Sequence, residues 1–174
     1  MAIRSVEEVL DTLGIARSAC SGSLRVQGST ACLSSKPGRN SLAQAHRVQV
    51  DSLEKLQSLV GHASAKVTAP KDVADDADLR QTLLAYVLGG ARKNLSRHAE
   101  ALAERYLPLA VIVYTGDEIV IRKGEVLDIE PDGHDPVVVN YRVVKLEEGG
   151  QIRCHAPVLM TLEKFIKKKS LDGE

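Results

Sequence analysis

Short aliphatic runs crowd the stretch from Leu109 to Phe165: Leu-Ala-Val-Ile-Val, Ile-Val-Ile, Val-Leu-Asp-Ile, Val-Val-Val, Val-Val-Lys-Leu and Val-Leu-Met, each set off by glycine or proline. Gly116-Asp-Glu-Ile-Val-Ile-Arg-Lys and Gly124-Glu-Val-Leu-Asp-Ile-Glu-Pro begin alike, and Gly150-Gln-Ile-Arg-Cys-His opens the same way. Apolar runs this short, separated by turn residues, predict a β-rich body. Val137–Leu146 is more continuous, as in a strand buried on both faces or bent at a corner. Glu130–Pro136 reads as a wide turn and Glu147–Gly150 as a tight one. The residues from Thr161 to Lys169 read as a short closing helix or an edge strand. Two architectures fit: a short β-solenoid-like stack, and an antiparallel sandwich or barrel. The runs are punctuated by glycine rather than joined by clean hairpin turns, which favours the stack.

Upstream the period changes. Ser5 to Glu8 has capping-box spacing, with Val6, Val9, Leu10 and Leu13 on one face and Gly14 as the stop. Asp51 to Glu54 repeats that spacing ahead of Leu53, Leu56, Leu59 and Val60. From Asp78 to Leu107, Leu79, Leu83, Val87, Ala91, Leu95, Ala99, Leu102 and Tyr106 recur every three or four residues. Gly89-Gly90 interrupts this helix at about 1 kcal/mol per glycine relative to alanine, which predicts a kink or two helices. Between Ile15 and Asn40 the chain is rich in Ser, Gly, Ala and Thr; Leu24–Val26 and Ala31–Leu33 are short-strand candidates, and His46–Val50 alternates like a strand. The fold class expected is α+β, a helical N-terminal half followed by a β-rich C-terminal half. Residues 1–77 would carry short helices, short strands and a Ser/Gly-rich loop. Residues 78–107 would form the long or kinked helix, and 108–174 the β-rich module with a basic tail.

Composition narrows the picture. A chain of 174 residues fits one domain plus an appendage. There is no Trp, one Phe and four Tyr, so the core must be aliphatic and stacking platforms are scarce. Lys and Arg balance Asp and Glu at 23 each, which argues against a dedicated nucleic-acid binder and lowers the repulsion opposing self-association. Cys20, Cys32 and Cys154 form no CxxC pair and read as free thiols in a reducing compartment. No stretch has the apolar length of a membrane span, and the expected location is cytoplasmic.

Candidate chemistry is thin. Cys154-His155 invites a thiolate–imidazole pair, but neighbours on a strand point to opposite faces, so each needs a partner from elsewhere, such as His134 or Asp135. Cys20 sits in a small-residue loop without a nucleophile-elbow pattern. Asp132, His134 and Asp135 share a turn that could hold a divalent metal, although the spacing matches no EF-hand or zinc site. Arg92, Lys93 and Arg97 form a basic stretch that would suit an anion, or a solvated helix face. No cofactor is expected. The sequence therefore points to a non-enzymatic binding or assembly module acting through itself or a protein partner. The alternatives are a small hydrolase or transferase using Cys154 or Cys20 with a histidine, and a metal- or anion-binding module.

Overall fold

Alternation of apolar and polar side chains lets a strand bury one face, and in this chain the strands bury that face against one another across two sheets. A computed structural model describes residues 5–60, 72–87, 96–133, 136–156 and 158–171. The chain divides into two compact units, Gln49–Leu109 and Ala2–Val48 with Ala110–Glu174.

The second unit carries the sheets. Its strands are β1 (Ser21–Arg25), β2 (Thr30–Ser34), β3 (His46–Val50, which runs across the unit division), β4 (Leu109–Ile121), β5 (Val126–Glu130), β6 (Val137–Glu147), β7 (Gln151–Cys154) and β8 (Val158–Lys168). One sheet has the order β1-β4-β6-β8, with β3 also pairing β4; the other has the order β2-β5-β7. From β4 onward the chain alternates between the sheets. It returns to the first sheet 25 residues later, where Ile112 pairs with Val137. It returns again after 21 residues, where Val137 pairs with Val158.

This arrangement corrects the expected fold class twice. The N-terminal half is not a helical half, because β1, β2 and β3 lie there and its helices are short. An antiparallel sandwich or barrel is excluded, because β1–β4, β2–β5, β4–β6, β5–β7 and β6–β8 are all parallel. The physical reason lies in the connections. Successive strands belong to different sheets, so each turn makes a corner rather than a hairpin reversal. The corner after β4 uses Gly124 at φ 79° and the corner after β6 uses Gly149 at φ 92°, a region open to glycine. The two corners are bonded to each other, Gly124 N–H donating to Gly149 O at 3.1 Å and Gln151 N–H to Glu125 O at 3.0 Å.

Gly116 is a different matter. The repeat of its surroundings in the sequence suggested punctuation between strands, yet it lies inside β4. A Cβ there would come within 2.5 Å of Ser21 O and 2.6 Å of Tyr141 Cε1. Close approach of β1, not a turn, accounts for this glycine.

The interior between the sheets is filled by Leu33, Ile112, Tyr114, Ile119, Ile121, Leu127, Ile129, Val137, Val139, Tyr141 and Val144. Along β4 the inward positions are Ile112 and Tyr114 and then Ile119 and Ile121, so the phase of alternation inverts near Asp117. β6 does the same near Arg142, between Tyr141 and Val144. The pairing skips these residues at every level: Gly116 pairs with Tyr141 and Tyr141 with Leu162, then Glu118 with Val143 and Val143 with Lys164. Asp117, Arg142 and Glu163 are thus stacked where each strand turns its other face inward.

Helix α1 (Val6–Leu13) covers the outside of the first sheet, contacting β6 and β8. Its capping box forms as the spacing predicts, Ser5 Oγ accepting from Glu8 N–H and Gly14 closing the C-terminus at φ 67°. Val6, Val9, Leu10 and Leu13 are buried. The helix start is held by the strands beneath it: Val6 N–H donates to Glu163 Oε1 at 3.1 Å, and Asn140 Nδ2 donates to Val6 O at 3.4 Å.

The first unit is helical: α2 (Leu53–Val60), α3 (Asp76–Val87) and α4 (Ala99–Tyr106), the last preceded by a 3-10 turn at Ser96–His98. Ser52, not Asp51, caps α2, its Oγ accepting from Lys55 N–H at 3.1 Å. Asp75 caps α3 in the same way through Asp78 N–H at 2.9 Å. Arg105 of α4 reaches Asp76 of α3 at 3.0 Å.

Candidate functional site at the open end of the sheets

In a stack of parallel strands, any strand with a neighbour on one side only leaves a row of backbone groups unpaired on the other. Among the described residues, β8 pairs only with β6 and β7 only with β5. Both edges lie at the C-terminal end of the stack. β8 carries Val158, Leu159, Met160 and Leu162 half-buried, then Glu163, Lys164, Phe165, Lys167 and Lys168. Its register places Phe165 in the column Ile119–Val144, both of which are buried to 1% exposure or less. Phe165 itself is 50% exposed. The apolar column therefore continues one residue beyond the point where it is covered.

The corner column carries alternating charge. Arg142 lies between Asp117 at 3.9 Å and Glu163 at 3.6 Å. On the face beyond it, Glu118 accepts from Ser23 Oγ at 2.9 Å and pairs with Lys145 at 2.8 Å. Lys145 holds the Glu118 carboxyl below its ordinary range.

A second charged row runs across the outer face of the β2-β5-β7 sheet. Asp128 and Glu130 alternate with the inward Leu127 and Ile129 on β5. Arg153 grips both Asp128 oxygens at 2.8 Å, and His155 Nε2 lies 2.9 Å from Oδ1. Glu130 is held by Lys36 at 3.0 Å and Arg39 at 2.6 Å. The Arg153 hydrogen bonds, then the His155 bond, lower the Asp128 carboxyl; Lys36 and then Arg39 do the same for Glu130. Both carboxylates are engaged on β5 and act as fasteners between levels, not as open acid–base groups. Sequence reasoning passed over this row. Its signal was a charged residue inside Val-Leu-Asp-Ile-Glu, with Arg153 standing 25 residues after Asp128.

The residues singled out in the sequence fall as follows. Cys154 is exposed, ends β7 and pairs in register with Ile129; burial of its surroundings pushes the thiol up, away from the thiolate. His155 turns to Asp128. Cys20 Sγ lies 3.8 Å from Thr115 Oγ1, just before β1. The thiol of Cys32 is pushed up by burial, with Glu130 adding to it. Asp132 N–H donates to Ser35 Oγ at 2.8 Å, while His134 and Asp135 lie outside the described residues. Arg97 Nε donates to His98 Nε2 at 3.1 Å on the 3-10 turn; Arg92 and Lys93 lie outside the described residues. Among the described residues no group of three or more His, Cys, Asp or Glu converges as a metal site. No helix among them is long and apolar enough to cross a membrane.

Comparison with known proteins adds no relative: no family model, no curated protein and no solved structure matches this chain.

Proposed function

We propose that this chain is a non-enzymatic assembly module that associates with copies of itself through the open end of its sheets. The observation that carries the reading is the uncovered continuation of the core at Phe165, on a strand that among the described residues pairs only with β6. An edge of this kind is a template for a further strand, and a half-exposed apolar column beside it gives an added strand something to bury. The zero net charge supports the same reading, because copies of the chain meet without long-range repulsion.

Against a hydrolase built on Cys154 stands the state of its thiol, which burial raises away from the thiolate.

Light scattering across a wide range of protein concentration tests the proposal. The expected result is a mass that rises to a discrete oligomer, and a Phe165→Asp variant with an unchanged circular dichroism spectrum that remains a monomer. A strictly monomeric wild type would overturn it.

A further inference from the structure

The proposal of self-assembly leaves open how a second copy meets this edge, and the pattern of β8 selects one answer. We infer that two copies join as a two-fold dimer in which β8 pairs antiparallel with β8 of the second copy, Glu163 lying opposite Lys164 and Leu162 opposite Phe165. This inference rests on the assembly reading above.

The alternation along β8 inverts its phase at Glu163. Before it, Val158, Met160 and Leu162 face the interior. After it, Phe165 continues the inward column Ile119–Val144 and Lys167 the inward column Ile121–Leu146. Thr161 lies on the outer face in line with Thr115 and Asn140, and Lys164 lies beyond the corner in line with Glu118 and Val143.

Residues directly opposed in an antiparallel pair point to the same side of the sheet. A strand that alternated without interruption would meet its own two-fold copy in phase only when even positions faced even positions. The inversion at Glu163 reverses that rule. With the two-fold axis between Glu163 and Lys164, inward Leu162 and Met160 meet inward Phe165 and Lys167. Outward Thr161 and Leu159 meet outward Ile166 and Lys168. Every position from 159 to 168 then faces a partner on its own side.

Charge separates this register from its neighbours. Here Glu163 meets Lys164 of the second copy twice, once on each side of the axis, and cross-strand opposite charges attract. Sliding two positions one way sets Leu162 against Glu163. Sliding two the other way sets outward Lys164 against inward Phe165. Because both strands bend at the same place, the axis through the corner also superposes the bends. The pairing is isologous and closes at two copies.

Exchange of the two charges tests the register. Lys164→Glu places a carboxylate opposite Glu163 of the second copy on each side of the axis and is expected to weaken the dimer about 10-fold or more. Glu163→Lys does the same with lysines. Mixed together, the two variants restore opposite charges at both positions, so a heterodimer should form where neither variant dimerises alone. Glu163 also anchors α1 and faces Arg142, so Glu163→Lys could fail to fold; cross-linking then decides.

In a Cys154→Ser background, Lys164→Cys is expected to form an intermolecular disulfide under mild oxidation, because residues flanking the axis lie within about 6 Å. Lys168→Cys should not, since the two copies of that residue would stand roughly 30 Å apart. A wild type that oligomerises unchanged by Lys164→Glu, with Lys164→Cys cross-linking no better than Lys168→Cys, would overturn the register and leave the assembly reading standing. A monomeric wild type would remove both.

Discussion

Replacing Gly116 with alanine probes the tightest contact between levels of the stack. The added methyl would lie 2.5 Å from Ser21 O and 2.6 Å from Tyr141 Cε1, with Ser21 C at 3.1 Å. Neither neighbour yields easily. Ser21 O belongs to the backbone of β1, which pairs with β4 at this residue, and Tyr141 is fully buried. Relief requires β1 to move off β4 or Tyr141 to leave its place in the core. Overpacking of this kind costs about 1–3 kcal/mol. Gly116→Ala is therefore expected to destabilise by about 2–3 kcal/mol, measured as a lower urea midpoint at constant slope. Gly22→Ala is the matched control: it lies one residue along β1, its backbone needs no positive φ, and nothing lies within 4 Å of the added carbon. It should be neutral or slightly stabilising, by up to about 1 kcal/mol. Equal midpoints for the two variants would refute the close approach of β1 to β4.

Other perturbations address the core, the charged row and the helix. Burial pushes the phenols of Tyr114 and Tyr141 up to about 12, so ultraviolet titration should show these two tyrosines ionising only near that pH or on unfolding. Neither hydroxyl makes a hydrogen bond of full geometry among the described residues, Ser35 lying towards Tyr114 and Ser21 towards Tyr141, and Tyr141→Phe should leave stability within about 0.5 kcal/mol or raise it. A loss above about 2 kcal/mol would show that the hydroxyl is bonded. The carboxyls of Asp128 and Glu130 are lowered in the folded chain, so the stability they contribute is complete above the ordinary carboxylate range and is lost as pH falls through their lowered values. Urea midpoints should hold from pH 7 to about 4.5 and decline below about pH 4, less steeply in Asp128→Asn; an unchanged slope in that variant would contradict the bidentate grip of Arg153. Ser5→Ala removes half of the α1 capping box and should cost about 1 kcal/mol, with no change expected if α1 were undocked in solution.

Much of the strand content was legible because aliphatic runs between turn residues leave few alternatives, as with Val126–Glu130 and Val137–Glu147. Pairing direction was not. It depends on whether a turn reverses the chain within one sheet or carries it to another, and Lys123-Gly124-Glu125 does not declare which. The continuous apolar run of Val137–Leu146 allowed a bend at a corner, yet that the corner repeats at each level appears only when residues 25 apart are aligned. Gly116 resembled a turn glycine because its constraint comes from Ser21 and Tyr141, both distant in sequence. β1 was legible only at its end, through Leu24–Val26, for a related reason. Ser21-Gly-Ser-Leu-Arg has only one apolar side chain, and its strand character comes from pairing with β4. The open end was equally hidden, since nothing in Thr161–Lys169 distinguishes an edge strand from a helix until its neighbour is known.

Hydrogen exchange of the β8 amides as a function of protein concentration tests the central claim most directly. If copies assemble through this edge, protection from Val158 to Lys168 should rise with concentration in step with the mass from light scattering, while protection in β4 stays constant. Assembly accompanied by unchanged exchange in β8, or by new protection confined to other elements, would contradict the account.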